Sequence, residues 1–135
     1  MVIPASKASP TARGHARRGI LVVIADYRLY PQVRSPQFLE DNAEAVAWVY
    51  HHVGEYGGDR QQLFLMGHSS GAYNAAMLAL QPELLGAVGL SPAILKGWIG
   101  LAGPYDFLPI ENQEVRPVFF YLDSPVDSQP IVHVH

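Results

Sequence analysis

A short turn between a predicted strand and a predicted helix constrains the fold of this chain more than any other feature. The turn covers residues 67–71, reads Gly-His-Ser-Ser-Gly, and joins the apolar segment 63–66 to the small, apolar segment 72–80. Four successive apolar residues predict a short buried strand. In the second segment only Asn74 is polar, which predicts a helix that is packed on most sides. A strand that turns this quickly into a packed helix is typical of α/β folds.

The turn also matches the pattern G-x-S-x-G, which holds a serine at the tip of a strained bend. We expect Gly67 and Gly71 to relieve clashes because they lack a Cβ, and His68 to be packed away from the tip. Ser69 is the predicted nucleophile. The amide of Ser70, at the positive end of the following helix, is predicted to donate to an oxyanion. Chance produces the pattern in about one chain in twenty of this length, but the flanking strand and helix favour the functional interpretation.

The segments around the turn predict the rest of the architecture. The continuous apolar run 20–25 predicts a strand that is buried on both faces of a parallel sheet. Apolar residues at three- to four-residue spacing predict an amphipathic helix over 38–53, and residues 98–102 predict a third strand before the loop that carries Asp106. We therefore predict an α/β fold with a mostly parallel sheet and helices on both faces.

Composition narrows the classes of partner. The 135 residues fit one domain, and 12 acidic against 9 basic side chains give a net charge of −3, so we expect no nucleic-acid partner. No apolar run is long enough to cross a membrane, which favours a cytoplasmic protein. We expect no metal, because there is no cysteine and because His133 and His135 are two ligands without a third. We also expect no cofactor. The oligomeric state is left open.

The first residues differ from the rest. Residues 1–18 are basic, and we predict a poorly ordered N-terminal segment there, followed at 19–135 by the central part of the domain. A transit peptide has such a composition. The alternative, which we favour, is a ragged start where an upstream half has been lost.

Several motifs in order resemble the α/β-hydrolase superfamily, in particular its small carboxylesterases and lipases, including isoprenylcysteine-methylesterase-like and formamidase-like members. The resemblance runs from about residue 19 to 133. Its motifs are Ala-Asp-Tyr-Arg-Leu at 25–29, Asp41 and Trp48, Tyr-Gly-Gly-Asp at 56–59, the turn with Ala72, and Gly-Pro-Tyr-Asp-Phe at 103–107.

The resemblance implies a small-molecule ester substrate and a triad of serine, an acid and a histidine, of which only Ser69 is visible here. The family's glycine-rich oxyanion loop would precede Gly19, and no such segment is present. Asp106 is expected to support the site from outside the triad, and His133 and His135 to be exposed tail rather than the base. The chain is thus expected to be a truncated central piece of an esterase, a partial α/β-hydrolase fold with little turnover alone.

Two alternatives stay open at this point. The same turn serves an amidase or formamidase, since it does not distinguish ester from amide leaving groups. A non-catalytic α/β binding module could also keep the turn.

Overall fold

The computed structural model describes residues 10–135, which form four α-helices and two β-strands. The helices are α1, Pro10–Ala16; α2, Gln37–His52; α3, Ser70–Leu80; and α4, Pro82–Gly86. The strands are β1, Leu63–His68, and β2, Leu95–Leu101. Short 3₁₀ turns lie at Val53–Tyr56, Pro92–Ile94, Arg116–Phe119, Val126–Ser128 and Pro130–His133. Of the predicted poorly ordered segment, residues 1–9 lie outside the described residues, and residues 10–16 form α1.

The two strands lie side by side and parallel, from the pair Leu63–Leu95 to the pair His68–Leu101. Helix α3, which follows β1 in sequence, contacts both strands. The prediction of an α/β fold with parallel strands flanked by helices is therefore confirmed. Strand β2 begins three residues before its predicted start at Trp98, and it ends at Leu101 because Ala102 leaves the extended region with a φ of 52°.

Helices α2, α3 and α4 pack together against one face of the strands. Their shared core joins Ala43, Val46, Leu78 and Leu85, with Leu63 and Leu65 of β1 packed on it. Successive residues of a strand point to opposite faces, so the other face carries a separate set of large apolar side chains. These are Phe64, Met66, Ile99 and Leu101, which are 56%, 47%, 47% and 45% exposed. Within the described residues, the helices thus cover one side of the strand pair, and the predicted helices on the second face are not seen there, because the apolar side chains of that face are exposed.

A second core lies beyond the first turn of α3. Phe38 and Leu39 of α2 meet Tyr73 and Met77 of α3 there, and Phe119 from the C-terminal segment completes the contact. Although residues 103–135 contain no long helix or strand, this core fixes them against α3. Helix α3 is thus buried from Ala72 to Leu78, as its composition predicted.

The predicted strand at 20–25 is wrong for this chain. The structure has no strand there, Ile20 and Leu21 are 50% and 44% exposed, and residues 22–25 are half-buried instead of fully buried. A strand is held by backbone hydrogen bonds to a neighbouring strand. Among residues 10–135 only β1 and β2 pair, so this apolar segment has no ladder partner. No helix in the described part of the chain is long and apolar enough to span a membrane.

Candidate active site

The turn between β1 and α3 presents Ser69 on strained backbone. Ser69 has φ 54° and ψ −118°, a region that L-residues rarely adopt and that costs about 1–3 kcal/mol. Its amide donates to the carbonyl oxygen of Leu101 at 2.8 Å, and its own carbonyl oxygen accepts from the amides of Ala72 and Tyr73 at 3.0 and 3.2 Å. The turn is therefore tied to both β2 and α3, and Ser69 is exposed at its tip.

The two glycines of the turn have different roles. A Cβ on Gly67 would lie 2.1 Å from the carbonyl oxygen of Gly71 and 2.2 Å from its carbonyl carbon, so only hydrogen fits at residue 67. A Cβ on Gly71 would meet nothing within 4 Å. The prediction that glycine relieves a clash is confirmed at Gly67 and wrong at Gly71. The close approach is between the side-chain position of residue 67 and the backbone of residue 71. The side-chain position of residue 71 has no neighbour within 4 Å.

Ser69 opens onto a cavity of about 850 Å³. Much of the lining is aromatic, including Phe38, Tyr73, Phe107 and Phe119. Phe107 and Phe119 lie 5.1 Å apart between ring centroids, and Tyr73 lies 5.7 and 5.6 Å from them, all edge to face. The sequence interpretation missed this wall, because apolar residues of the C-terminal segment lack the spacing of a helix or strand. An apolar pocket with few polar groups is the usual form of a small-molecule site.

Asp106 lines the same cavity as Ser69 and Ser70. Its loop is fixed on both sides. The amide of Phe107 donates to Oε1 of the buried Gln129 at 2.8 Å, and the amide of Ile131 donates to the carbonyl oxygen of Tyr105 at 3.0 Å. The structure thus brings these three predicted site residues to one cavity, whereas the supporting role of Asp106 stays a prediction.

Carboxyl groups dominate the charged part of the lining. Asp106, Glu111 and Glu114 all line the cavity, and no Lys, Arg or His among the described residues does. The local field at this site therefore favours neutral or cationic molecules over anions.

The histidines lie elsewhere. His68 is exposed on the uncovered face of β1, the side of Phe64 and Met66, so the prediction that it is packed is wrong. Nε2 of His133 lies 2.7 Å from the carbonyl oxygen of Asp127, and neither His133 nor His135 lines the Ser69 cavity. Over residues 10–135 no three His, Cys, Asp or Glu side chains are grouped so that they could hold a metal ion.

An ion pair holds one wall of the cavity. The guanidinium of Arg28 donates from Nη2 to Oδ1 of Asp41 at 2.7 Å and from Nε to Oδ2 at 2.9 Å, and the Arg28 amide donates to Oδ2 at 3.0 Å. These bonds attach the chain at Tyr27 and Leu29, which line the cavity, to helix α2. Hydrogen bonding from Arg28 lowers the pKa of Asp41, although partial burial opposes the shift.

Tyr73 connects α3 with the C-terminal segment. Its hydroxyl donates to the carbonyl oxygen of Ser128 at 2.8 Å, and its ring is buried among the aromatic side chains. Burial raises the pKa of the Tyr73 hydroxyl, and the nearby charge of Asp127 raises it further. Tyr73 is therefore a neutral hydrogen-bond donor that fixes the far wall of the cavity.

A parallel strand, a sharp bend with an exposed serine and a buried helix beside an apolar cavity define this chain as an α/β-hydrolase. It belongs to the BD-FAE family, whose sequence profile matches residues 5–129.

Several known proteins that resemble the chain are named as esterases. It is 37% identical over 98 residues to a protein named as a probable isoprenylcysteine alpha-carbonyl methylesterase of Oryza sativa subsp. japonica, covering 69% of this chain and 23% of that protein. It is 33% identical over 88 residues to a carboxylesterase of Mycobacterium tuberculosis, covering 64% of this chain and 27% of the relative.

Among solved structures, an esterase from a study of two Rhizomucor miehei enzymes matches with a TM-score of 0.51 and 26% identity, covering 68% of this chain and 27% of the fungal chain. The chain spans about a quarter of the length of these relatives.

Proposed function

We propose that Ser69 is the nucleophile of a serine hydrolase that acts on carboxylic esters through an acyl-enzyme. The observation that carries the proposal is the backbone of Ser69, which holds an exposed serine in a strained conformation between β1 and α3. Such strain persists only where the surrounding structure enforces it, and it concentrates at functional sites. Membership of an esterase family supports an ester as the bond that is cleaved.

In the proposed reaction, Oγ of Ser69 attacks the ester carbonyl carbon, the bond to the alcohol oxygen breaks, and the proton of the serine hydroxyl leaves with the alcohol. Water then hydrolyses the acyl-serine and restores the hydroxyl. Ser70 is the first residue of α3, where backbone amides have no acceptor within the helix. Its amide would donate to the oxyanion that forms on the carbonyl oxygen.

A general base contributes roughly a factor of 10²–10⁴ to such a step. No histidine in the described part of the chain lines the cavity with Ser69. We therefore expect the chain to react once with an activated reagent and to turn over ordinary esters slowly. Stoichiometric labelling is consequently a better test of Ser69 than steady-state turnover.

The test is labelling by a fluorophosphonate, followed by mass spectrometry of the labelled peptide. Ser70→Ala is a matched control, because Ser70 is the neighbouring exposed serine and the variant keeps the backbone amide. We expect the wild type and Ser70→Ala to be labelled at residue 69, and Ser69→Ala to remain unlabelled. A folded wild-type chain without label, with folding checked by circular dichroism, would contradict the proposal and favour a non-catalytic binding module.

A second assay separates ester from amide chemistry. With p-nitrophenyl acetate we expect about one equivalent of p-nitrophenolate per folded chain. With the amide p-nitroacetanilide we expect no release of p-nitroaniline on the same time scale. Equal release from both compounds would assign the chain to the amidase alternative instead.

A further inference from the structure

The cavity beside Ser69 contains a buried carboxamide that the esterase chemistry does not use. Asn74 lines the cavity from the packed helix α3 and is only 4% exposed. The acidic residues of the lining, by contrast, are exposed, and so is Asn112, whose Oδ1 already accepts from the amide of Glu114 at 2.9 Å. Asn74 is thus a buried polar side chain among the apolar residues that line the cavity.

The carboxamide of Asn74 has no hydrogen-bond partner among residues 10–135, although other amide side chains of this protein do. Nδ2 of Asn42 donates to the carbonyl oxygen of Phe38 at 2.6 Å, and the buried Gln129 uses both ends of its amide. No fully enclosed side-chain nitrogen or oxygen in the described part of the chain lacks a partner. The polar atoms of Asn74 are therefore not fully enclosed, and Asn74 lines the cavity, so we take the cavity as the space that they face.

The position of Asn74 in α3 sets the distance between its carboxamide and the ester group of a bound substrate. Ser70 and Asn74 are four residues apart in α3, so they lie on the same side of the helix, and both line the cavity. Four residues correspond to a rise of about 6 Å along a helix. A molecule whose ester lies at Ser69 and Ser70 would place a group roughly one helical turn away against Asn74.

We infer that Asn74 is a specificity-determining residue, whose carboxamide hydrogen-bonds a hydroxyl or carbonyl group carried by the substrate one helical turn from the ester. This inference rests on the proposed function. A site built to hydrogen-bond a ligand discriminates against an analogue of the same shape that lacks the polar group, because the protein group is then left unpaired. Esters that carry a hydroxyl or carbonyl group at this position are therefore selected over esters whose group there is a pure hydrocarbon.

The experiment measures binding, so it does not require reaction at Ser69. The probes are 4-ethylphenol and 4-ethyltoluene, which match in shape and differ by a hydroxyl in place of a methyl group. Dissociation constants are measured by two-dimensional NMR for the wild type, Asn74→Leu and Asn112→Leu. The last variant is the control, since it removes the same amide from an exposed position of the same cavity.

We expect Asn74→Leu to change the ratio of the two dissociation constants by about three- to tenfold, the range for one neutral hydrogen bond. The change should favour binding of 4-ethyltoluene over 4-ethylphenol. The ratio should be unchanged in Asn112→Leu. In the wild type, the side-chain amide resonances of Asn74 should move with 4-ethylphenol and stay in place with 4-ethyltoluene. This last measurement decides the question even if Asn74→Leu does not fold.

Unchanged Asn74 resonances with both probes, or an equal shift of the ratio in both variants, would overturn the inference. That result together with normal fluorophosphonate labelling of Ser69 would leave the proposed function intact. An Asn74 response in a folded chain that the fluorophosphonate does not label would instead refute the nucleophile and keep the binding role of Asn74.

Discussion

Replacement of Gly67 by alanine tests whether the bend at Ser69 depends on one backbone contact. The added Cβ would lie 2.1 Å from the carbonyl oxygen of Gly71 and 2.5 Å from the amide nitrogen of Ala72. Both are backbone atoms, which cannot rotate away as a side chain can. To reach an ordinary contact distance of roughly 3.5 Å, the turn and the start of α3 would have to separate by about 1.4 Å at the nearest atom.

Inserting a methyl group into a packed site typically costs about 1–3 kcal/mol. Because the obstacle is backbone, we expect Gly67→Ala to lie at the upper end, about 3 kcal/mol. For a chain of this size that loss lowers the melting temperature by roughly 10 °C. Gly71→Ala is the matched variant in the same motif. Its Cβ meets nothing within 4 Å, and alanine favours the helix over glycine, so its stability should be equal or higher by up to about 0.5 kcal/mol.

The assay is urea unfolding followed by circular dichroism, together with fluorophosphonate labelling at a temperature at which both variants are folded. Gly67→Ala should be less stable and label more slowly, since the serine is displaced. Gly71→Ala should match the wild type in both measurements. If the two variants lose stability equally, or if Gly67→Ala is as stable as the wild type, the assignment of the close contact to residue 67 is refuted.

Three further predictions follow from the contacts around the cavity. Tyr73→Phe should lower the free energy of unfolding by about 1 kcal/mol at pH 7, measured in urea. Since burial raises the pKa of Tyr73, its stabilisation is present below the ordinary tyrosine value of about 10 and is lost as the pH rises further, a loss absent from the variant. Arg28 lowers the pKa of Asp41 in the folded chain. The ion pair therefore stabilises the fold above about pH 4, and this stabilisation is lost as the pH falls through the lowered pKa of the folded state. Asp41→Asn should flatten the acid side of a curve of unfolding free energy against pH. Finally, neutral activated esters should label the chain faster than matched anionic ones, with about a threefold effect for each nearby carboxylate, and Glu111→Gln with Glu114→Gln or 1 M salt should narrow the difference.

The sequence predicted the elements whose signal is local. Helix α2 and the unit from β1 to α3 were recognised because apolar spacing, the G-x-S-x-G pattern and the small residues of α3 all agree within a few residues. The placement of Ser69, Ser70 and Asp106 at one cavity follows from the same logic, since residues after parallel strands lie at the same edge of a sheet.

The features that were missed or wrong depend on distant partners. The segment 20–25 has the composition of a buried strand, yet pairing needs a neighbour that composition cannot supply. The roles of Gly67 and Gly71 differ because of a contact across the bend, which the motif alone does not resolve. The aromatic wall joins Phe38 of α2 with Phe107 and Phe119 of irregular segments, and no spacing rule connects such residues before the chain is folded.

Because the described residues cover only one side of the strand pair, the protein should associate in solution. Large contiguous apolar patches are rare on monomeric proteins in water and promote association. With Phe64 and Met66 next to Ile99 and Leu101 on the open side, sedimentation and light scattering should depend on protein concentration. Because the patch lies on the side of the strands away from the helices, a mild detergent would disperse such aggregates and leave the helical layer in place.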